Sequence, residues 1–157
     1  MINLHKSTMI YRPIWQVFDF MSSPENDFQW QYGTLASARI SEGLGNIGTL
    51  FRSIGHLMGR RVESTFEVTE YEPNRQYGFK SLSGPFQSYT SYTFEEDRGF
   101  TRIDISTQVN AINFFQVDQG VLKKKMEKQL EENLVMLKEL LEVERTLPAS
   151  ERISLTK

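Results

Sequence analysis

From Leu35 to Val109 the chain alternates apolar and polar residues with a period of two, is broken by short turn signals, and then gives way to one long helical stripe. Few architectures accept that order. Glu42-Gly43, Met58-Gly59-Arg60, Glu72-Pro73-Asn74, Ser83-Gly84-Pro85 and Asp97-Arg98-Gly99 are the turns, and they delimit strands near 35–41, 47–58, 61–72, 76–82, 86–95 and 100–109. Alternation is clearest in Tyr92/Phe94, in Ile103/Ile105 and in Val62/Phe66/Val68. Parallel neighbours would need long crossovers, so turns this short imply an antiparallel meander.

Residues 2–11 read as one further strand, with Met9, Ile10 and Tyr11 at its apolar end. Pro13 fits the first position of a helix, where its missing N–H costs nothing, and Ile14, Val17, Phe18 and Met21 follow at helical spacing. Ser23-Pro24 starts a second, short helix with Ser23 as N-cap; it carries Phe28 and Trp30 and ends by Gly33.

After the strands, Asp118 is the expected N-cap of the last helix, with Val117 and Leu122 placed as a hydrophobic staple. Leu122, Met126, Leu130, Leu134, Leu137 and Leu141 form its apolar stripe. Running to about Arg145, it would be roughly 40 Å long. Leu147-Pro148 ends it. Residues 1–146 are expected to form one domain and 147–157 a flexible tail. The expected class is therefore α+β: a strongly curved, seven-stranded antiparallel sheet, two short helices after the first strand, and a long C-terminal helix packed across the sheet. A straight helix touches a curved sheet only along a line, which is a physical route to a cavity.

Composition narrows the function classes. A net charge of −2 gives no electrostatic footprint for nucleic acid. The absence of cysteine removes disulfides, thiolate nucleophiles and cysteine-ligated zinc. No apolar run approaches the ~20 residues needed to span a bilayer. The stretch Met1-Ile2-Asn3-Leu4-His5-Lys6 does not read as a secretory leader, so a cytoplasmic location is expected.

The same order of elements resembles the START-like superfamily, also called SRPBCC, helix-grip or polyketide cyclase/dehydrase-like, over about residues 2–143. Arg12-Pro13-Ile14-Trp15-Gln16-Val17-Phe18 with Ser23-Pro24-Glu25-Asn26 and Trp30 is similar to the family's two-helix opening. Gly45-Asn46-Ile47-Gly48-Thr49 resembles its glycine turn, and Val68-Thr69-Glu70-Tyr71-Glu72-Pro73 its strand-to-turn signature. Tyr92-Thr93-Phe94-Glu95 and Gly99-Phe100-Thr101-Arg102-Ile103 resemble the last two strands. The resemblance implies a helix-grip fold whose gap between sheet and long helix holds lipids, sterols, polyketides or hormone-like molecules. It does not fix a function.

Gly43-Leu44-Gly45-Asn46-Ile47-Gly48 satisfies G-x-G-x-x-G, but a dinucleotide fingerprint must open a helix, and Thr49-Leu50-Phe51-Arg52-Ser53-Ile54 reads as a strand. The glycines are read as turn residues. His5 and His56 are the only histidines and have no metal-ligand spacing, so neither a metal nor a cofactor is expected; His56 is read as a surface residue. Arg102 and Asp104 flank Ile103 and should point to solvent, and Glu95-Glu96 reads as a solvated turn.

The rings are the strongest candidates for a site. Phe66, Phe79, Tyr92 and Phe94 are expected to face the long helix, with Trp30, Phe114 and Phe115 at one end of the gap. Phe51, Ile105, Leu122, Met126 and Leu130 complete the expected lining, although plain core packing explains any one of these residues equally well. Tyr92 is the expected polar handle and Met126 an adaptable contact. Two functions stay open: carriage of a small hydrophobic molecule without catalysis, which is favoured, and a cyclase/aromatase-type enzyme, for which Tyr92 and His56 are the available groups. Lys123-Lys124-Lys125 and Lys128 read as a solvated face that could touch an anionic membrane beside Phe114-Phe115. A monomer or a weak homodimer through a sheet edge is expected.

Overall fold

The computed structural model describes residues 1–41, 46–57, 59–110 and 118–146, with side chains up to Val143. In chain order it contains β1 (Ile2–Ile10), α1 (Ile14–Met21), a 3-10 turn (Pro24–Asn26) running into α2 (Asp27–Trp30), then β2 (Thr34–Ser41), β3 (Leu50–Leu57), β4 (Arg60–Glu72), β5 (Gln76–Ser83), β6 (Gln87–Asp97), β7 (Phe100–Asn110) and α3 (Gln119–Thr146). The strands form one antiparallel sheet in the order β1-β7-β6-β5-β4-β3-β2. β2 to β7 is therefore the meander read from the turns, and β1 adds at its end. α1 and α2 carry the chain from one sheet edge, β1, to the other, β2.

The sheet is curved. Register shifts between Thr34 and Ala36, Arg39 and Ser41, Thr65 and Phe66, and Val68 and Glu70 put irregularities into β2, β4 and β5. Each irregularity bends its strand and increases local twist.

Several local expectations shift by a residue or change partner. Pro13 is the N-cap of α1 rather than its first residue; its carbonyl accepts from Gln16 N at 3.1 Å and Val17 N at 3.2 Å. Ser23 holds the backbone position of a cap, but its hydroxyl donates back to the Asp19 carbonyl at 2.9 Å. β3 begins at Leu50 and not at residue 47, because Gly48 turns the chain at φ +89° and its N–H is bonded to the Val68 carbonyl at 2.8 Å. β1 stops at Ile10, and Tyr11 instead lies under the Lys138 ammonium, 4.0 Å from its ring centre. Asp118 caps α3 as expected, accepting from Gly120 N at 3.0 Å and Val121 N at 3.3 Å. Val117, the other half of the expected staple, lies outside the described residues, as do Phe114 and Phe115.

α3 is tied to the rest of the molecule along its length. Lys138 donates to the Met9 carbonyl and to Glu142, both at 2.7 Å, and Glu142 accepts from Tyr11 N at 3.1 Å. Lys6 pairs with Glu131 at 2.7 Å, an exposed contact of little energetic weight. Asn133 accepts from Tyr32 N at 3.0 Å, joining α3 to the segment after α2.

The buried residues fall into two clusters rather than one. The larger unites Val17, Phe18 and Met21 of α1 with Phe94, Ile103 and the Leu134/Leu137/Leu141 end of α3. The smaller holds Ile2, Leu4, Val109 and Leu122, with Phe86, Met126 and Leu130 against it. A core divided in this way leaves something between its parts.

Candidate functional site

Between the two clusters lies a cavity of about 300 Å³. β1 contributes Leu4, β4 and β5 contribute Phe66 and Phe79, and α2 contributes Trp30. From the middle of the sheet come Ser88, Thr90 and Tyr92 on β6 and Ile105, Thr107 and Val109 on β7. α3 closes the space with Met126, Gln129, Leu130 and Asn133, which are one face of a helix at i, i+3, i+4 and i+7. The volume is at the small end of the range for small-molecule sites, and the wall is apolar with a few polar tips, as such sites are.

Seven of the expected lining residues meet here: Trp30, Phe66, Phe79, Tyr92, Ile105, Met126 and Leu130. Three do not. Phe94, one step further along the same face of β6, packs edge-on against Phe18 of α1, ring centres 5.1 Å apart. Phe51 is fully buried, stacked on Phe66 at 5.1 Å, and borders a smaller side pocket. Leu122 is buried in the small cluster that closes one end. The physical reason is common to all three: alternation selects a face of the sheet, but not which part of that face is filled by α1, by the cavity or by the end of α3. His56 is exposed, and Lys123, Lys124, Lys125 and Lys128 are all exposed along α3. Arg102 lies at the surface with Asp104, which also accepts a hydrogen bond from Ser7 and lies 3.5 Å from His5.

The wall also has a polar part that lies outside the expected lining. Gln31, Ser88, Thr90, Thr107, Gln129 and Asn133 all reach it. The Thr90 and Thr107 hydroxyls lie 3.2 Å apart across the β6–β7 ladder. The sequence does carry a signal for them, since Thr90 and Ser88 continue the alternation of Tyr92, and Thr107 continues that of Ile105. A search for an apolar stripe passes over them.

Aromatic packing fixes the wall around Tyr92. Its ring lies 6.2 Å from Trp30, 5.8 Å from Tyr77 and 5.8 Å from Phe79. Burial pushes the Tyr92 hydroxyl well above the ordinary phenol range, and nearby Asp27 and Tyr77 add to the rise; hydrogen bonding by the Gln31 side chain opposes it. Tyr77 is pushed up in the same way, by burial first and then by Asp27. Both hydroxyls are neutral at physiological pH and act as hydrogen-bonding groups. The Trp30 Nε1–H is buried without a partner among the described residues.

A side pocket of about 180 Å³ adjoins the cavity and shares Gln31, Phe66 and Phe79 with it. Asp27, Phe51, Ser53 and Ser64 are among its other walls. A separate cleft of about 280 Å³, bordered by Asp19, Ser22, Arg39, Asn46 and Tyr71, lies on the α1 side. Its lining is mainly polar, and it shares no wall residue with the sheet–α3 gap. Among the described residues, no group of three His, Asp or Glu side chains is placed to hold a metal ion.

Residues 1–142 match the family model described as polyketide cyclase/dehydrase and lipid transport. The chain belongs to this family. Among solved structures, a START superfamily protein from Mycobacterium smegmatis superposes with a TM-score of 0.80 at 14% identity, covering 90% of this chain and 98% of that one. A Thermus thermophilus protein gives 0.75 at 17% identity, with 92% and 99% covered. The di-domain ARO/CYC BexL of the BE-7585A biosynthetic pathway gives 0.73 at 12% identity, covering 94% of this chain and 48% of that one. At these identities the likeness is one of fold, and the fold is the START helix-grip. No curated protein matches the chain in sequence. No described helix of this polyketide cyclase/dehydrase and lipid transport family member is long and apolar enough to cross a membrane.

Proposed function

We propose that the protein binds and carries a small hydrophobic molecule in the cavity between its sheet and α3, without transforming it. One observation carries this reading: the core is divided into two clusters, and the space between them is walled by rings, aliphatic side chains and neutral polar groups. An apolar guest would complete the contacts that the facing walls cannot make with each other. Removing about 300 Å² of apolar ligand surface from water would contribute about 7 kcal/mol before association costs.

The polar groups on the wall favour recognition. Hydroxyls and amides fix orientation, and the Tyr92 phenol, held neutral by burial, is a hydrogen-bonding group rather than a base. The Trp30 Nε1–H, at about 1–3 kcal/mol for an unmet buried donor, would be relieved by an acceptor on the guest. Family membership agrees with a hydrophobic ligand but serves carriers and cyclases alike.

The test is native mass spectrometry of the purified protein, followed by organic extraction and identification of the released compound. A stoichiometric lipid, sterol or aromatic molecule returned unchanged supports carriage. A released compound that the protein converts on incubation, with Tyr92→Phe abolishing conversion but not binding, replaces carriage by catalysis. An empty protein that also fails to bind a hydrophobic fluorophore removes the proposal.

A further inference from the structure

Asp27 is the first residue of the short helix α2 and is only 8% exposed. It borders the side pocket, and among the described residues its carboxyl group feels burial and the Glu25 charge, with no hydrogen bond or cation to offset them. Buried carboxyl groups without partners are costly, and proteins ordinarily supply a guanidinium, an ammonium or several N–H groups. Here none is supplied from within.

The walls around it make the omission specific. Among the described residues lining the main cavity and the side pocket there is no Lys, Arg or His, and Asp27 is the sole carboxyl. A ligand anion entering this space would meet an acid and no cation. A ligand cation would meet the carboxyl and the rings of Phe51, Phe66 and Phe79, whose faces also favour positive charge. Gln31, Phe66 and Phe79 border both spaces, so a molecule whose body occupies the main cavity can place one end in the side pocket.

We propose that Asp27 is the recognition site for a basic amine, and that the molecule held by this protein is an apolar compound bearing a protonated amino group seated in the side pocket. The proposal rests on the carrier reading of the cavity and narrows its ligand class. In the free protein, burial and then the nearby Glu25 raise the Asp27 carboxyl well above the usual carboxylate range. Of the charged groups around it only Glu25, from the preceding turn, acts on its titration; Tyr77 of β5 and Tyr92 of β6 are neutral phenols whose own titration the Asp27 charge raises, and Arg39 of β2 is engaged by Glu25 at 3.6 Å. An arriving ammonium favours the ionised form, so at a pH where the free protein holds Asp27 protonated a proton leaves it for solvent as the ion pair forms. Amine affinity therefore rises with pH until Asp27 is ionised in the free protein.

Octylamine, octanol and octanoate form a suitable probe set, titrated calorimetrically at a series of pH values from about 4, the ordinary carboxylate range, up to about 8, into the whole protein in two buffers of different ionisation enthalpy. Octylamine should bind about tenfold or more tighter than octanol, the lower end for a close buried charge pair, with octanoate weakest. Only octylamine should release a proton. Asp27→Asn should bring octylamine down to the affinity of octanol, abolish the proton release and leave octanol unchanged. Proton release is read on the unmodified protein, so a folding defect in the variant does not rescue or sink the proposal. Octanol binding with no preference for octylamine, or no proton release at any pH of the series, overturns the assignment of Asp27 while leaving the cavity reading intact. Failure of all three probes to bind overturns both.

Discussion

Ile103 and Ile105 are the same residue type, two positions apart on β7, on the same face of the sheet and fully buried at 0% and 2% exposure. Both belong to the large cluster, and they differ in one respect: Ile105 also borders the cavity and Ile103 does not. Truncation to alanine should separate them. Each loses about three carbons, a transfer cost of about 2.4 kcal/mol at ~0.8 kcal/mol per carbon. At Ile103 the surroundings relax only partly, and a residual void of roughly 70 Å³ at about 24 cal/mol per Å³ adds about 1.7 kcal/mol. At Ile105 the vacated volume joins space that already exists, and the side chain had fewer contacts to lose on that side. Ile103→Ala should therefore cost about 4 kcal/mol and Ile105→Ala about 2.5 kcal/mol. For a chain of 157 residues that difference is roughly 5 °C in melting temperature. Urea titration of ligand-stripped protein, with matched m-values, gives the comparison directly. Equal costs, or a larger cost at Ile105, would mean that the gap is closed by side chains in solution and that the argument from a divided core is wrong.

Other consequences are open to simple tests. Asp118→Ala removes the acceptor for two N–H groups at the start of α3 and should cost about 1 kcal/mol, read by thermal melting. Gly55→Ala would put a methyl 2.1 Å from the Gly33 carbonyl oxygen, a backbone atom that cannot step aside, and should cost about 2–3 kcal/mol by denaturant titration. Asp27 binds its proton more tightly folded than unfolded, so the stability it contributes is complete below the ordinary aspartate range and is lost as pH rises through the folded value. Asp27→Asn should gain on the parent protein as pH rises above about 4, measured as a series of urea midpoints. Asp104 has the opposite sign: its hydrogen bond from Ser7, and then Arg102, hold its carboxyl below the usual range. The stability it contributes is present above the ordinary aspartate value and is lost on acidification, by under about 1 kcal/mol for so exposed a group; Asp104→Asn should flatten that limb.

The order of elements, the antiparallel meander, the cap at Asp118 and the family were all legible in the chain. These rest on signals that are local: turn residues, a period of two changing to about 3.6, and a side chain that closes on its own backbone a few residues on. The sequence also placed Trp30, Phe66, Phe79, Tyr92, Ile105, Met126 and Leu130 on inward faces, because alternation reports which side of a strand or helix is buried. What each inward residue meets depends instead on how distant segments come together. Phe94 and Tyr92 share a face of β6, yet one is covered by α1 and the other opens on the cavity, because bulges in β2, β4 and β5 and the path of α3 set where the layers separate. Asp27 carried no sequence signal at all. Its burial beside the rings of β3, β4 and β5 comes from the fold, which brings residues distant in the chain around a carboxyl group and supplies it with no partner among the described residues.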